Sequence, residues 1–286
     1  MKVTLLGCGG SSGVPLANGT PGGYWGNCDP LEPKNRRMRA SAFVETQGKR
    51  ILIDTSPDLR EQILRFGIQG VDAVLFTHSH ADHCHGIDEL RVMRYAQQNS
   101  IPAYMDPVTH QELTARFAYA FESSHKDHAL YPALMSDRSF AGPFDAVGVP
   151  VVPFKQDHGN VHSMGFRIGD FAYSTDVVQL SDEAIEILQG LDLWIVDCLR
   201  FEPHPTHAHF DRTMAWIEAV RPKRAVLTHL NHSVDYHVIK ERCPPGVEPG
   251  YDGLVMEVAE AATGQGAGLT DDGLTFYSAS QKLSGR

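Results

Sequence analysis

Short apolar runs recur along the chain, separated by stretches rich in glycine, proline, histidine and aspartate. Val71-Asp72-Ala73-Val74-Leu75-Phe76 reads as a buried strand, and Gly86 to Met93 has the spacing of a helix, extending the prediction to 85–98. Upstream, residues 1–7 predict a first strand. Ala42-Phe43-Val44 and Arg50-Ile51-Leu52-Ile53-Asp54 predict a hairpin, with a helix over 57–66. Residues 100–145 are less regular; helical spacing from Pro107 to Phe121 suggests a cap segment, and His110, His125 and His128 within it read as surface residues. Val147 to Phe154 is extended, and Gly165–Ile168 with Phe171–Ser174 forms a hairpin around Gly169-Asp170. Helix 181–189, strand 193–198, helix 211–220 and strands 224–227 and 255–258 follow. After residue 260 the chain is rich in Gly, Thr and Asp, with an edge strand expected at Leu274–Tyr277. No short-period repeat occurs. The alternation predicts an α/β chain, read as one domain over 1–286.

Between the strand and the helix lies Thr77-His78-Ser79-His80-Ala81-Asp82-His83-Cys84. Strand-to-helix loops are where α/β proteins place chemistry. Neutral imidazole with carboxylate suits zinc, manganese or iron. Four such groups in six residues are too many for one tetrahedral site with an open position. They suit two ions, each completed from elsewhere. Asp54, His78, His158, Asp176 and His229 each fall near the end of an apolar strand, and strand ends in one layer share a rim. Two histidines two apart can face one ion, and the Asp-His pair after them its neighbour. A bridging carboxylate would hold two cations ~3.5–4 Å apart and lower the pKa of a shared water towards ~7.

The formal net charge of -10 over 286 residues argues against a protein that tracks a nucleic-acid backbone. It leaves small phosphate esters open, because bound cations supply local positive charge. No run of eighteen apolar residues is present, and the first apolar run breaks at Gly7-Cys8-Gly9-Gly10, too early for a signal peptide. Five scattered cysteines without a CxxC pair read as reduced thiols of a cytoplasmic protein. Two further stretches leave two readings each. Gly7 to Pro15 is a glycine-serine turn, either simply tight or a cradle for an anion. The long loop 16–38 ends in Lys34-Asn35-Arg36-Arg37-Met38-Arg39, which faces either an anionic substrate or solvent.

The string THSHADHCHGID resembles the metal-binding motif of the metallo-β-lactamase-fold hydrolases. That resemblance implies a four-layer αββα sandwich. It implies that His78, His80 and His158 hold one metal, that Asp82, His83 and His229 hold a second, and that Asp176 bridges both. Asp54 then resembles the buried carboxylate that braces the motif loop. GCGGSSGVP, PKNRRMRAS and HPTHAH with LTHLNHSVDY resemble the phosphodiesterase branch, above all the phosphoribosyl 1,2-cyclic phosphate phosphodiesterases, over most of residues 1–255. The implied cofactors are two divalent ions, zinc or manganese. The implied reaction is attack by a metal-bridging hydroxide on a small or cyclic phosphodiester. Asp82 and His207 are its catalytic residues; His207 serves the leaving oxygen, and His209 competes for that role.

The resemblance has a gap. That family carries a structural zinc on a Cys-rich N-terminal loop, completed by a histidine at the spacing of His232. Here the loop offers only Cys28, so no structural zinc is expected. Three alternatives remain: a thioesterase of the glyoxalase II type, a tRNA 3′-processing nuclease, and a non-catalytic carrier on the same fold. The expected partners are a small phosphodiester or nucleotide-like substrate and, optionally, a second copy in a homodimer. No long nucleic acid and no membrane are expected.

Overall fold

The computed structural model describes residues 1–122 and 132–259. His125, His128 and the edge strand expected at 274–277 lie outside the described residues. The first of two seven-stranded sheets contains β1 (Lys2–Gly7), β2 (Ser41–Thr46), β3 (Lys49–Ile53), β4 (Ala73–Leu75), β5 (Ile101–Met105) and β6 (Met135–Ser139). The second contains β7 (Phe144–Ala146), β8 (Val149–His158), β9 (Val161–Ile168), β10 (Phe171–Ser174), β11 (Leu193–Asp197), β12 (Arg224–Thr228) and β13 (Val247–Pro249). β14 (Leu254–Glu257) returns to the first sheet and pairs beside β1.

Side-chain alternation explains the layers. Leu5, Ile51, Ile53 and Leu75 of the first sheet meet Phe166, Tyr173, Leu193 and Ile195 of the second in a dry middle layer. Their neighbours point outward. Leu6, Leu52 and Val74 pack under α1 (Leu59–Phe66), α3 (Arg91–Gln97) and α4 (Pro107–Arg116). Trp194, Val196 and Leu227 pack under α6 (Asp182–Ile187), α7 (Phe210–Val220) and α8 (Tyr236–Arg242). Strands buried on both faces read as continuous apolar runs, as they do here. The result is the αββα sandwich.

Strand direction places the chemistry. β3–β4–β5–β6 pair in parallel in one sheet and β10–β11–β12–β13 in the other. Parallel strands need crossover helices and leave their C-terminal ends on one rim. Asp54 follows β3, His158 ends β8, Asp176 follows β10, and His229 follows β12.

Several boundaries differ from the sequence reading. Asp82 and His83 lie in a short helical turn, α2 (Ala81–Cys84), not in open loop. The helix expected over 85–98 is a 3-10 turn, Ile87–Leu90, followed by α3. The 107–121 segment is α4 and a short α5 (Ala118–Phe121). Strands β5, β6, β7 and β13 and helix α8 were not expected; β7 and β13 have three residues each, too short for a periodic signal. Among the described residues no helix is long and apolar enough to cross a membrane.

Candidate metal centre

Asp54 organises the motif loop. It turns the chain after β3 with a φ of 63°, in the left-handed region. Its carboxylate accepts hydrogen bonds from the Thr77 backbone N–H and the Thr77 hydroxyl, both at 2.8 Å. The same carboxylate lies 2.7 Å from His83 Nδ1, which fixes the ring with Nε2 facing the pit. Helix α4 steadies the loop from the side: Glu112 pairs with the Ser79 hydroxyl, and Arg116 donates to the Ser79 carbonyl. Gly86 closes the turn against Ser56, whose carbonyl leaves no room for a Cβ.

The structure brings the seven expected residues together in two groups. His78, His80, His158 and Asp176 form one; Asp82, His83, Asp176 and His229 form the other. In each, the donor atoms lie within 4.8 Å of one another. Asp176 belongs to both, one oxygen to each side. Oδ2 lies 3.8 Å from His78 Nε2 and 3.4 Å from His158 Nε2. Oδ1 lies 3.1 Å from His83 Nε2 and 3.2 Å from His229 Nε2. Asp176 and His229 also adopt left-handed φ values, 54° and 60°. Uncommon backbone at such residues clusters at functional sites. His158 Nδ1 sits 2.7 Å from the Thr206 carbonyl, so it carries the proton and leaves Nε2 as a lone pair towards Asp176.

The pit fits cations. Nε2 of His78, His83 and His229 and Oδ2 of Asp82 are buried and make no hydrogen bond of good geometry, although charged neighbours stand 3.1–3.8 Å away. Each such orphan costs ~1–3 kcal/mol, and these converge on one space. Electrostatics agrees. Burial pushes the His83 imidazole down, yet Asp176, Asp82 and Asp54 raise its pKa well above the usual histidine value. Burial pushes the Asp176 carboxyl up, yet His229, His83 and His207 hold it well below the usual range. The cluster of carboxylates calls for positive charge. Its imidazole and carboxylate donors are those of zinc and manganese sites.

His207 lies in the pit and His209 does not. The His207 ring stacks on His229 at 4.7 Å, and its Nε2 is 3.9 Å from Asp176 Oδ2. His209 precedes α7 as its cap residue. Behind His207 stands Asp197, fully buried, with Oδ2 3.3 Å from His207 Nδ1 and accepting the Val177 N–H at 3.0 Å. Burial lowers the His207 pKa, but Asp176 and Asp197 carry it up to about 9. Sequence reasoning missed Asp197. The signal was present, since Asp197 ends an apolar strand just as Asp54 follows one.

The basic cluster is split: Arg36 is exposed, and the other cations are spent on contacts within the protein. Arg37 is buried, donating to the carbonyls of Asn231 and Val234 at 2.9 and 2.8 Å. Arg39 pairs with Asp58 at 2.7 Å, and Lys34 sits over the rings of Tyr236 and Tyr251. The Cys28 thiol donates to the Val234 carbonyl, and Arg37 Nη1 lies 3.9 Å from its sulfur. The guanidinium thus ties loop 28–37 to the segment after His229.

Comparison with known proteins shows the family and the fold. Residues 49–230 match the model of the beta-lactamase superfamily domain. A solved structure described as a new diphosphatase from the PhnP family is 32% identical, with a TM-score of 0.79 over 90% of this chain and 97% of that one. An octanoyltransferase of Porphyromonas gingivalis is 33% identical over 91% of this chain; the match spans 52% of that protein, about half its length. Zinc-bound PqqB of Methylobacterium extorquens, 18% identical, shares the fold with a TM-score of 0.69 over 90% of this chain and 100% of that one.

Proposed function

The chain belongs to the beta-lactamase superfamily, and from that premise we propose that it hydrolyses small or cyclic phosphodiesters, phosphoribosyl or nucleotide-like, with two divalent cations, zinc or manganese. The observation that carries this reading is Asp176, which offers one oxygen to each histidine group. His78, His80 and His158 would hold the first ion, and Asp82, His83 and His229 the second, with Asp176 common to both. When bound, such a pair lowers the pKa of water towards ~7 and offsets charge on the phosphoryl oxygens.

The side chains do the rest. Asp54 and the Thr206 carbonyl fix the rings of His83 and His158, so the donors need no reorganisation. Asp82 Oδ2 lies 3.1 Å from His83 Nε2 and 3.6 Å from His229 Nε2, on the edge of the second group. His207 holds a proton at Nε2, supported by Asp197 at Nδ1, and gives it to the departing oxygen. In balance, a water oxygen bonds to phosphorus and the bond from phosphorus to the leaving oxygen breaks. The leaving oxygen takes the His207 proton. One water proton stays on the phosphate and the other returns to His207.

Likeness to the diphosphatase over 97% of its length supports phosphorus as the reacting centre. The octanoyltransferase is named for acyl chemistry, but the cavity over Asp176 has Val161 as its one aliphatic wall residue, a poor match for a long acyl chain. The test is turnover of bis-p-nitrophenyl phosphate with added Mn²⁺ or Zn²⁺. Turnover lost in Asp82→Ala supports the mechanism. No turnover by the wild type, or none lost in that variant, removes it. Thioester hydrolysis as the only activity transfers the assignment to acyl chemistry, and metal binding without either activity favours a carrier.

A further inference from the structure

Thr175 directly precedes the shared carboxylate. It follows β10 and is fully buried. Its hydroxyl donates to Asp176 Oδ1 at 2.8 Å, the one hydrogen bond that hydroxyl makes among the described residues. Oδ1 is the oxygen that faces His83 and His229, while Oδ2 faces His78 and His158. A carboxylate between two cations can give one oxygen to each or turn both towards one. The torsion that decides between these is broad and roughly two-fold. A hydroxyl bound to one oxygen removes that freedom.

We infer that Thr175 is a positioning residue: its hydroxyl fixes which oxygen of Asp176 serves which cation, and so sets how tightly the second ion is held. This rests on the two-cation reading above. The backbone around Thr175 is clamped by the hairpin that carries His158. Gln156 Nε2 donates to the Ser163 hydroxyl at 2.9 Å and to the Thr175 carbonyl at 3.0 Å. The Ser163 hydroxyl in turn donates to the Asp176 carbonyl at 2.8 Å. Gln156 and Ser163 face each other across β8 and β9, and both are buried, as are Thr175 and Asp176. Successive carbonyls are thus tied down. That holds Asp176 in its left-handed turn and leaves the carboxylate torsion to Thr175.

The second ion depends on this hydroxyl more than the first. In the first group His78 Nδ1 lies 3.0 Å from the Thr77 hydroxyl and His158 Nδ1 lies 2.7 Å from the Thr206 carbonyl, so both rings are fixed from behind. In the second group Asp54 fixes His83, but His229 is loosely backed. Its Nδ1 is buried without a hydrogen bond, and Asp197 Oδ1 stands 3.9 Å away. With His229 less firmly held, the second ion relies on Asp176 Oδ1 being kept in place. Outer partners of metal ligands govern affinity on a scale of ~10–100-fold.

The test is calorimetric titration of Zn²⁺ into the full chain after chelation, which reads the affinity of each ion. Thr175→Val keeps the side-chain shape and deletes the hydroxyl. One ion is expected to keep its wild-type affinity and the other to bind ~10–100-fold more weakly. Thr175→Ser retains the hydroxyl and is expected to restore both. In a His229→Ala background, which removes a donor of the second group, Thr175→Val should leave the remaining ion unmoved. If Thr175→Val does not fold, Thr175→Ala against Thr175→Ser makes the same comparison. Wild-type affinities for both ions without the hydroxyl overturn the inference. Equal losses at both ions overturn it too, because they report a general loosening of the fold, and so does a serine variant that restores nothing. A wild type that binds fewer than two zinc ions fails the two-cation reading itself.

Discussion

Asp252 offers a stability prediction whose size follows from its surroundings. Its carboxylate accepts the Cys8 N–H at 3.1 Å and the Met38 N–H at 2.7 Å, so it fastens the glycine-serine turn to the loop before β2. No cation pairs with it among the described residues, and burial pushes its pKa from 3.8 up to about 7. The sign follows from linkage. Between those pH values the folded state holds a proton that the unfolded state has lost, so stability is full below pH 3.8 and falls as pH rises through 7. At ~1.4 kcal/mol per pH unit, the whole span is about 4 kcal/mol and the part between pH 5 and pH 8 about 3 kcal/mol. Asp252→Asn removes the titration. Its amide can accept only one of the two N–H groups, a constant loss of ~1–3 kcal/mol. The wild type should therefore be more stable than the variant at pH 5, and that advantage should shrink by about 3 kcal/mol by pH 8. Urea unfolding followed by tryptophan fluorescence reports on it, since Trp194 is fully buried. Stability curves that stay parallel from pH 5 to pH 8 would refute the reasoning.

Three more outcomes follow from other contacts. His207→Asn should lower kcat by ~10²–10⁴ for an alkyl diester and far less for a p-nitrophenyl one, whose leaving group needs no proton; equal losses on both would remove the acid role. Arg37→Leu orphans the carbonyls of Asn231 and Val234 and should cost several times the ~1–3 kcal/mol of one buried unpaired group, read as a lower urea midpoint. Gly86→Ala drives a Cβ into the Ser56 carbonyl and should cost ~1–3 kcal/mol or more, with weaker zinc binding by calorimetry; unchanged zinc affinity would show that the turn does not position the motif.

Much of this was legible in the sequence because it is local. The motif string, the strand before it and the polar residues at strand ends all sit within windows of a few residues. The sandwich follows from strands apolar on both faces, such as Leu193 to Asp197. What stayed hidden depends on distant partners. The basic cluster at 34–39 reads as a charged surface, yet Arg37 finds its acceptors some two hundred residues away. Asp197 shows locally only as a carboxylate at the end of a strand; its place behind His207 comes from the parallel neighbours of β11. A cavity by Ser12 unites the two ends of the chain's apolar framework, Gly10 with Asn231, which no local pattern announces.

The donors around Asp176 come from both halves of the sandwich: His78 and His80 after β4, His158 and Asp176 from the facing sheet. The reactive pit is thus a seam, and its width is set by how the two sheets ride on each other. Side chains such as Phe166 and Tyr173, deep in the dry interior, act as shims. A swap there alters the gap in both donor groups at once, so a conservative change far from water can retune reactivity while every rim residue stays in place.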